Sequence, residues 1–248
     1  MTDPKSISFD RIAHRYDETR RLPSRQMKTI IEAFSRELGE YGSVLEIGVG
    51  TGRFALPLQR RGINLLGVDI SPRMMARGLK KGLTDVLLAN ALFLPFKDKS
   101  VEAAYSIHVL HLIEDWKRAL KEIARVTRVA YYTVATHWDD VHSPFSTYWK
   151  FIRRAGHGER RAGVFERELP DIILPEKRTL VGSFTERREA ADGIEALERR
   201  TYSGQWTLPE EAHASAMTSV RKEFSDQVLN MKKKVELIRW GVEDLVTG

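Results

Sequence analysis

Between residues 44 and 54 the chain reads VLEIGVGTGRF, an apolar run followed by glycines at 48, 50 and 52. Alternate glycines make a poor strand or helix, so they mark a place where the backbone bends sharply or a ligand approaches it closely. A short strand, Ser43 to Ile47, leads into them, and a helix through Phe54 and Leu58 follows. Pro57 fits that helix only in its first turn, where N–H groups have no intrahelical acceptor. The loop therefore offers bare backbone and outward N–H groups at a helix N-terminus.

The flanking pattern alternates strand and helix. Met27, Ile30, Ile31, Phe34 and Leu38 recur at helical spacing before the stop at Gly39. NLLGVDI is a second apolar strand; SPRMMARGLKKG follows with Ser71 as N-cap, Pro72 at the first helical position and Gly82 as the stop. DVLLA and VEAAYSIHVL give two more strands, EDWKRALKEIARV an amphipathic helix, and VAYYTVAT a fifth strand. Strands joined by crossover helices imply a parallel sheet covered on both faces. The fold class expected is α/β, a Rossmann-like parallel sheet of about seven strands with a final antiparallel edge strand and a helical insertion after the fifth.

Beyond Thr136 the rhythm breaks. Helices are expected over FSTYWKFIRRAG and around RAGVFERELPDII, a return to the sheet at IEALERRTYSGQW, a helical tract from about Pro209 to Lys234, and a last strand in VELIRWGVEDLV. One domain spanning 1–248 accounts for this: an N-terminal cover to residue 23, a core over 24–136, an insertion over 137–193 and a completing tail over 194–248.

Composition narrows the classes. A chain of 248 residues with 42% hydrophobic and 30% charged content can bury one well-filled core. Without cysteine, disulfides and thiolate metal sites are excluded. No apolar run is long enough to span a bilayer, and the charged N-terminus lacks the centre of a secretion signal, so a cytoplasmic location is expected. The +6 charge favours anionic partners but is scattered too widely to name one. Nothing bears on oligomeric state.

The sign of the loop separates two ligands. A dinucleotide fingerprint would place its third glycine at residue 53, which is Arg53. Glu46, two residues before the first glycine, would repel a pyrophosphate but suits a cationic sulfonium with an ammonium group. Here the sequence resembles the class I S-adenosylmethionine-dependent methyltransferases, of the methyltransferase 11 type that includes the quinone-ring methylases. The glycine loop, LLGVDISPRMM, ANALFLPFKDKSVEAAYSIHVLHLIEDW and FDRIAHRYDETR carry the likeness, which is dense over 9–136 and thin beyond.

The resemblance implies roles for particular residues. Gly48, Gly50 and Gly52 let the backbone touch the methionine part of S-adenosylmethionine, with Glu46 nearby. Asp69 accepts from the ribose hydroxyls, unless it is an ordinary strand-end residue; Ile70 and Met74 flank the adenine. Asn90 stands where the family usually has Asp and accepts from the adenine amine, or is a simple turn residue. Ala91 and Leu92 line the adenine edge. Tyr16 and Arg20 belong to a covering segment, or to an exposed amphipathic helix.

Ser106 joins the cofactor set, and His108 and His111, after the fourth strand, are the candidate bases. His108 is alternatively a packed strand residue and His111 a loop residue. THWDDVH, with His137, Asp139, Asp140 and His142, resembles a metal cluster only superficially, and no metal is expected. Trp138, Phe145, Tyr148, Trp149 and Phe151 line a planar substrate site or fill a helix core. KFIRRAGHGERR carries five bases against one acid, a solvated face or a grip on RNA. The expected function is methyl transfer to a small-molecule acceptor. RNA modification and a non-catalytic cofactor-binding module are the alternatives.

Overall fold

The computed structural model of the chain describes residues 7–20, 22–139, 142–157 and 162–246. In chain order these form α1 (Tyr16–Thr19), α2 (Ser24–Leu38), β1 (Val44–Ile47), α3 (Ala55–Gln59), β2 (Leu65–Asp69), α4 (Pro72–Lys80), β3 (Val86–Leu88) and β4 (Val101–Ser106). There follow α5 (Trp116–Val126), β5 (Thr127–Trp138), α6 (Pro144–Arg154), β6 (Lys177–Glu189), α7 (Ala190–Glu198), α8 (Glu210–Glu223) and β7 (Val228–Gly241). Seven strands lie in the order β3-β2-β1-β4-β5-β7-β6. β1 pairs in parallel with β2 and β4, β2 with β3, and β4 with β5, while antiparallel strands complete the edge. The last strand of the chain enters between β5 and β6, so β6 is the edge.

The expected helices owe their form to identifiable groups. In α2, Ile30, Ile31, Phe34 and Leu38 are buried at helical spacing. Ser71 caps α4 by accepting from the Met74 N–H at 3.1 Å, and Pro72 fills the first position. Asp115 caps α5 by accepting from the Arg118 N–H at 3.2 Å, and Leu120, Ile123 and Ala124 turn inward. Pro57 sits in the first turn of the short α3.

Contacts divide the chain into two compact units, with boundaries inside β5, β6 and β7. The first draws on Met1–Thr136, Ala162–Gly182 and Val235–Gly248. Leu45, Ile47, Val68, Ala104, Leu120, Ile123, Tyr131, Ile238 and Trp240 build its core. The second draws on His137–Arg161 and Ser183–Lys234, with α6, α7 and α8 around Tyr148, Trp149, Ile152, Leu197, Met217 and Val220.

Four local expectations fail. Residues 162–173 form turns and one 3-10 turn, Leu169–Asp171, in place of a helix. Pro170 lies inside that 3-10 turn, and Gly163 presses so close to the 110–113 turn that its N–H donates to the His111 carbonyl at 3.1 Å. β6 occupies a stretch read as helical insertion; as an edge strand it is mostly exposed and shows little apolar alternation. Residues 190–198 are helical, because Ala190 and Leu197 share one inward face two turns apart. The helix from 210 ends at Glu223, and β7 begins at Val228, its Lys233 buried against Glu186.

Gly163 tests the packing of the first unit. A Cβ there would lie 2.1 Å from the Leu110 carbonyl oxygen and 2.2 Å from that of Ile113, both backbone atoms. Gly163→Ala is expected to lower unfolding free energy by roughly 1–3 kcal/mol or more, read from the urea midpoint.

Candidate functional site

The glycine loop joins β1 to α3 with Gly48, Gly50 and Gly52 at φ of 75°, 56° and 74°. Only glycine adopts such a run without strain. Val109 and Leu83 already crowd Gly48 and Gly52, and a Cβ at Gly50 would meet the Met74 methyl at 3.2 Å and Asp69 Oδ2 at 3.9 Å. Asp69, ending β2, accepts from the Gly50 N–H at 2.7 Å and the Ser71 N–H at 2.8 Å. Its pKa is raised by burial and by Asp10, against the pull of those N–H groups. The carboxylate thus ties the loop to α4, and each oxygen keeps capacity to accept a hydroxyl.

Glu46 lies on the neighbouring strand, 3% exposed, accepting from the Tyr105 hydroxyl at 2.6 Å. Burial pushes its pKa up to about 8, opposed by the Tyr105 hydrogen bond and by Arg53, and reinforced by Asp69. Glu46 is therefore mostly neutral at pH 7 in the free protein, and a nearby cation would favour its ionised form.

The N-terminal segment is fastened to this loop by residues that sequence reading missed. The Asp10 carboxylate accepts from the Ser71 hydroxyl at 2.5 Å and the Arg73 N–H at 3.1 Å. Asp17 accepts from the Thr51 hydroxyl at 2.6 Å and from Lys81 at 2.9 Å, and these bonds hold its pKa below the usual value although burial opposes them. The Ile7 N–H donates to the Leu112 carbonyl at 3.0 Å, and Arg53 donates to the Arg20 carbonyl at 2.8 Å. Tyr16 meets Phe9 edge-on at 5.7 Å. No local pattern announces Asp10 or Asp17, whose partners lie 61 and 34 residues away.

Other expected residues are placed unevenly around the loop. Met74 is buried beneath Gly50, and Ile70 follows Asp69 half-buried. Asn90 accepts through Oδ1 from the Leu92 N–H at 2.9 Å, the local turn bond that was its simpler reading. Ala91 is half-buried, but the Leu92 side chain is 1% exposed in a small core with Ile113 and Ala119. Ser106 is fully buried with its hydroxyl 2.6 Å from that of Tyr131, an internal tie between β4 and β5.

Past β4 the backbone turns at His108, whose φ is 59°, uncommon for a residue with a side chain. His108 is thus outside the strand, its side chain exposed although protein surrounds the ring on most sides. That enclosure lowers its pKa, Glu166 opposes, and Arg53, His111 and Arg20 lower it further. The His111 ring centroid lies 6.5 Å away, and the ring stacks on Phe165 at 5.0 Å. Glu166, 2% exposed, accepts from the Val109 N–H at 2.6 Å and the Leu110 N–H at 3.3 Å. Its second oxygen is 3.7 Å from His111 Nδ1. Burial raises the Glu166 pKa, but His111 and His108 outweigh it, leaving the carboxyl below its ordinary value. One of three acids in a stretch read as helix, Glu166 gave no sign of this role in the sequence.

In the second unit the aromatic set splits. Tyr148 and Trp149 are core, whereas Trp138, Phe145 and Phe151 are partly exposed. Lys150, Arg153 and Arg154 lie on the exposed side of α6; residues 158–161 of the basic run, and Asp140, fall outside the described residues. His142 pairs with Glu223 at 2.8 Å. Among the described residues, no helix is long and apolar enough to cross a membrane.

Comparison with known proteins converges on one family. Residues 45–147 match the methyltransferase domain family of the methyltransferase 11 type. The chain is 38% identical over 120 residues to an uncharacterised protein of Methanocaldococcus jannaschii, covering 48% of this chain and 56% of that one. It is 35% identical over 144 residues to a demethylmenaquinone methyltransferase of Thermobifida fusca, covering 51% and 58%. It therefore spans little more than half the length of these relatives. A solved structure from Thermotoga maritima, described as an S-adenosylmethionine-dependent methyltransferase and possible histamine N-methyltransferase, shares the fold with a TM-score of 0.53 at 22% identity. That match covers 93% of this chain and 97% of the other.

The buried Glu46 carboxyl yields a pH signature. A folded-state pKa of about 8 against an ordinary 4.5 stabilises the protein fully below 4.5, and that contribution is lost as pH rises through 8. Glu46→Gln is expected to flatten this decline between those limits, measured as unfolding free energy across the pH range.

Proposed function

We propose that this chain, which belongs to the class I S-adenosylmethionine-dependent methyltransferases of the quinone-methylase-like branch, transfers a methyl group in line from that cofactor to a small-molecule acceptor. The observation that carries the reading is the Asp69 carboxylate at the end of β2, bonded to the Gly50 N–H of the glycine loop and backed by a second acid, Glu46. That pair of acceptors suits a ribose and a positively charged amino-acid moiety and disfavours a pyrophosphate.

The residues present fit the cofactor, and their roles follow from chemistry. Asp69 accepts from the ribose hydroxyls; Gly48, Gly50 and Gly52 admit the methionine moiety to the backbone, with Glu46 as its anionic neighbour. Ile70, Met74, Ala91 and Asn90 serve the adenine, Asn90 once its local turn bond is shared or released. Leu92 and Ser106 support this wall from behind. Tyr16 and Arg20 cover the site on a segment held by Asp10 and Asp17. When bound, the cofactor supplies a methyl already activated by positive sulfur. The protein's part is then to align the acceptor, exclude water and receive a proton. His108 and His111 are the residues that would receive that proton.

Calorimetry with S-adenosylhomocysteine tests the cofactor reading, and transfer of labelled methyl into small-molecule fractions tests the reaction. Asp69→Ala is expected to weaken S-adenosylhomocysteine binding about tenfold or more, since hydrogen bonds to a charged acceptor contribute about 1.5–3 kcal/mol. An unchanged affinity would remove Asp69 from the site. Salt-sensitive retention of RNA, with label transferred into it, would instead favour the RNA-modifying alternative.

A further inference from the structure

We infer that Glu166 is the positioning residue that fixes His111 as proton acceptor, so that the methyl acceptor is a molecule losing an O–H or N–H proton. This rests on the methyl-transfer reading and deepens it. The carboxylate is held in place: one oxygen accepts from two consecutive N–H groups, Val109 at 2.6 Å and Leu110 at 3.3 Å. The other faces His111 Nδ1 at 3.7 Å, and that nitrogen is buried with no partner within hydrogen-bond distance. An approach of somewhat under 1 Å makes it a hydrogen bond.

The ring has little freedom to turn away, because Phe165 stacks on it at 24° and the Arg167 guanidinium lies 4.1 Å over Phe165. Gly163, donating to the His111 carbonyl, brings the segment carrying Phe165 and Glu166 against the 108–113 turn. A carboxylate facing Nδ1 selects the neutral tautomer with its proton on that nitrogen. Nε2 is left as the acceptor.

His108 is the weaker candidate. Its surroundings, together with Arg53 and Arg20, disfavour the protonated ring. The charged and titratable groups around His111 are Glu166 and Arg167 from the 162–173 segment and His108 from its own turn, with Arg53 and Arg20 beyond His108.

His111 Nε2 takes the proton as a lone pair on the acceptor oxygen or nitrogen bonds to the methyl carbon, while the electron pair of the carbon–sulfur bond stays on sulfur. Charge and atoms balance without an oxidant or a metal. Glu166 does not touch the acceptor; it acts through the imidazole.

The competing explanation is a purely structural clamp on the Val109 and Leu110 N–H groups. Glu166→Gln separates the two: an amide oxygen still accepts from those N–H groups, but its NH2 then faces Nδ1 and asks it to become the acceptor. The measurement is the two-bond 1H–15N spectrum of the histidine rings in the uniformly labelled full chain, titrated from acid to alkaline pH, with His111 identified by signal loss in His111→Gln. Wild type is expected to show His111 as the Nδ1–H tautomer. In Glu166→Gln the proton moves to Nε2, because the amide NH2 can only donate to Nδ1. Glu166→Asp, which keeps the charge, restores the wild-type tautomer.

An Nε2–H tautomer in the wild type overturns the inference without any variant. So does a Glu166→Gln spectrum with an unmoved tautomer. S-adenosylhomocysteine binding, unchanged in Glu166→Gln, is the control for an intact site. Its failure in wild type defeats the methyl-transfer reading, whereas an unmoved tautomer with intact binding defeats only the role of Glu166.

Discussion

The Asp69 carboxylate, shared between the Gly50 N–H and the Ser71 N–H, organises the loops at the carboxyl ends of β1 and β2. It ties the glycine loop to the first turn of α4. Through Ser71 it also meets Asp10, and so the N-terminal segment. One carboxylate thus connects three stretches of chain that are distant in sequence. Buried acids are costly unless hydrogen-bonded, and the two backbone donors meet that requirement.

Features encoded by a few neighbouring residues were legible in the sequence. The glycine spacing, the Ser71 cap with Pro72, the apolar periods of α2 and α5 and the short buried strands each announce themselves within a dozen residues. The parallel order then follows from the alternation of strand and helix. Beyond β5, local signals weaken. β6 is an exposed edge with little alternation, and the Lys-rich start of β7 reads as helix because nothing local reveals that Lys233 has Glu186 to pair with. Ala190 and Leu197 sit two turns apart, too sparse a stripe to separate helix from strand by eye.

The candidate site was legible to the same degree and for the same reason. Asp69, Met74 and the glycines are set by one strand–loop–helix passage. Asp10, Asp17 and Glu166 owe their places to partners 61, 34 and 57 residues away. Leu92 and Ser106 illustrate the reverse: a motif fixes where the residue stands, but not that its side chain turns into the core or onto Tyr131.

Along this row of acids Asp69 raises the pKa of Glu46, and Asp10 raises that of Asp69. In the free protein Glu46 keeps its proton near neutral pH, and a positive ligand would favour its charged form. Affinity and robustness therefore pull in opposite directions here. A protein selected only to survive alkali would exchange Glu46 for a neutral residue and become sturdier, while its grip on a cationic guest slackened.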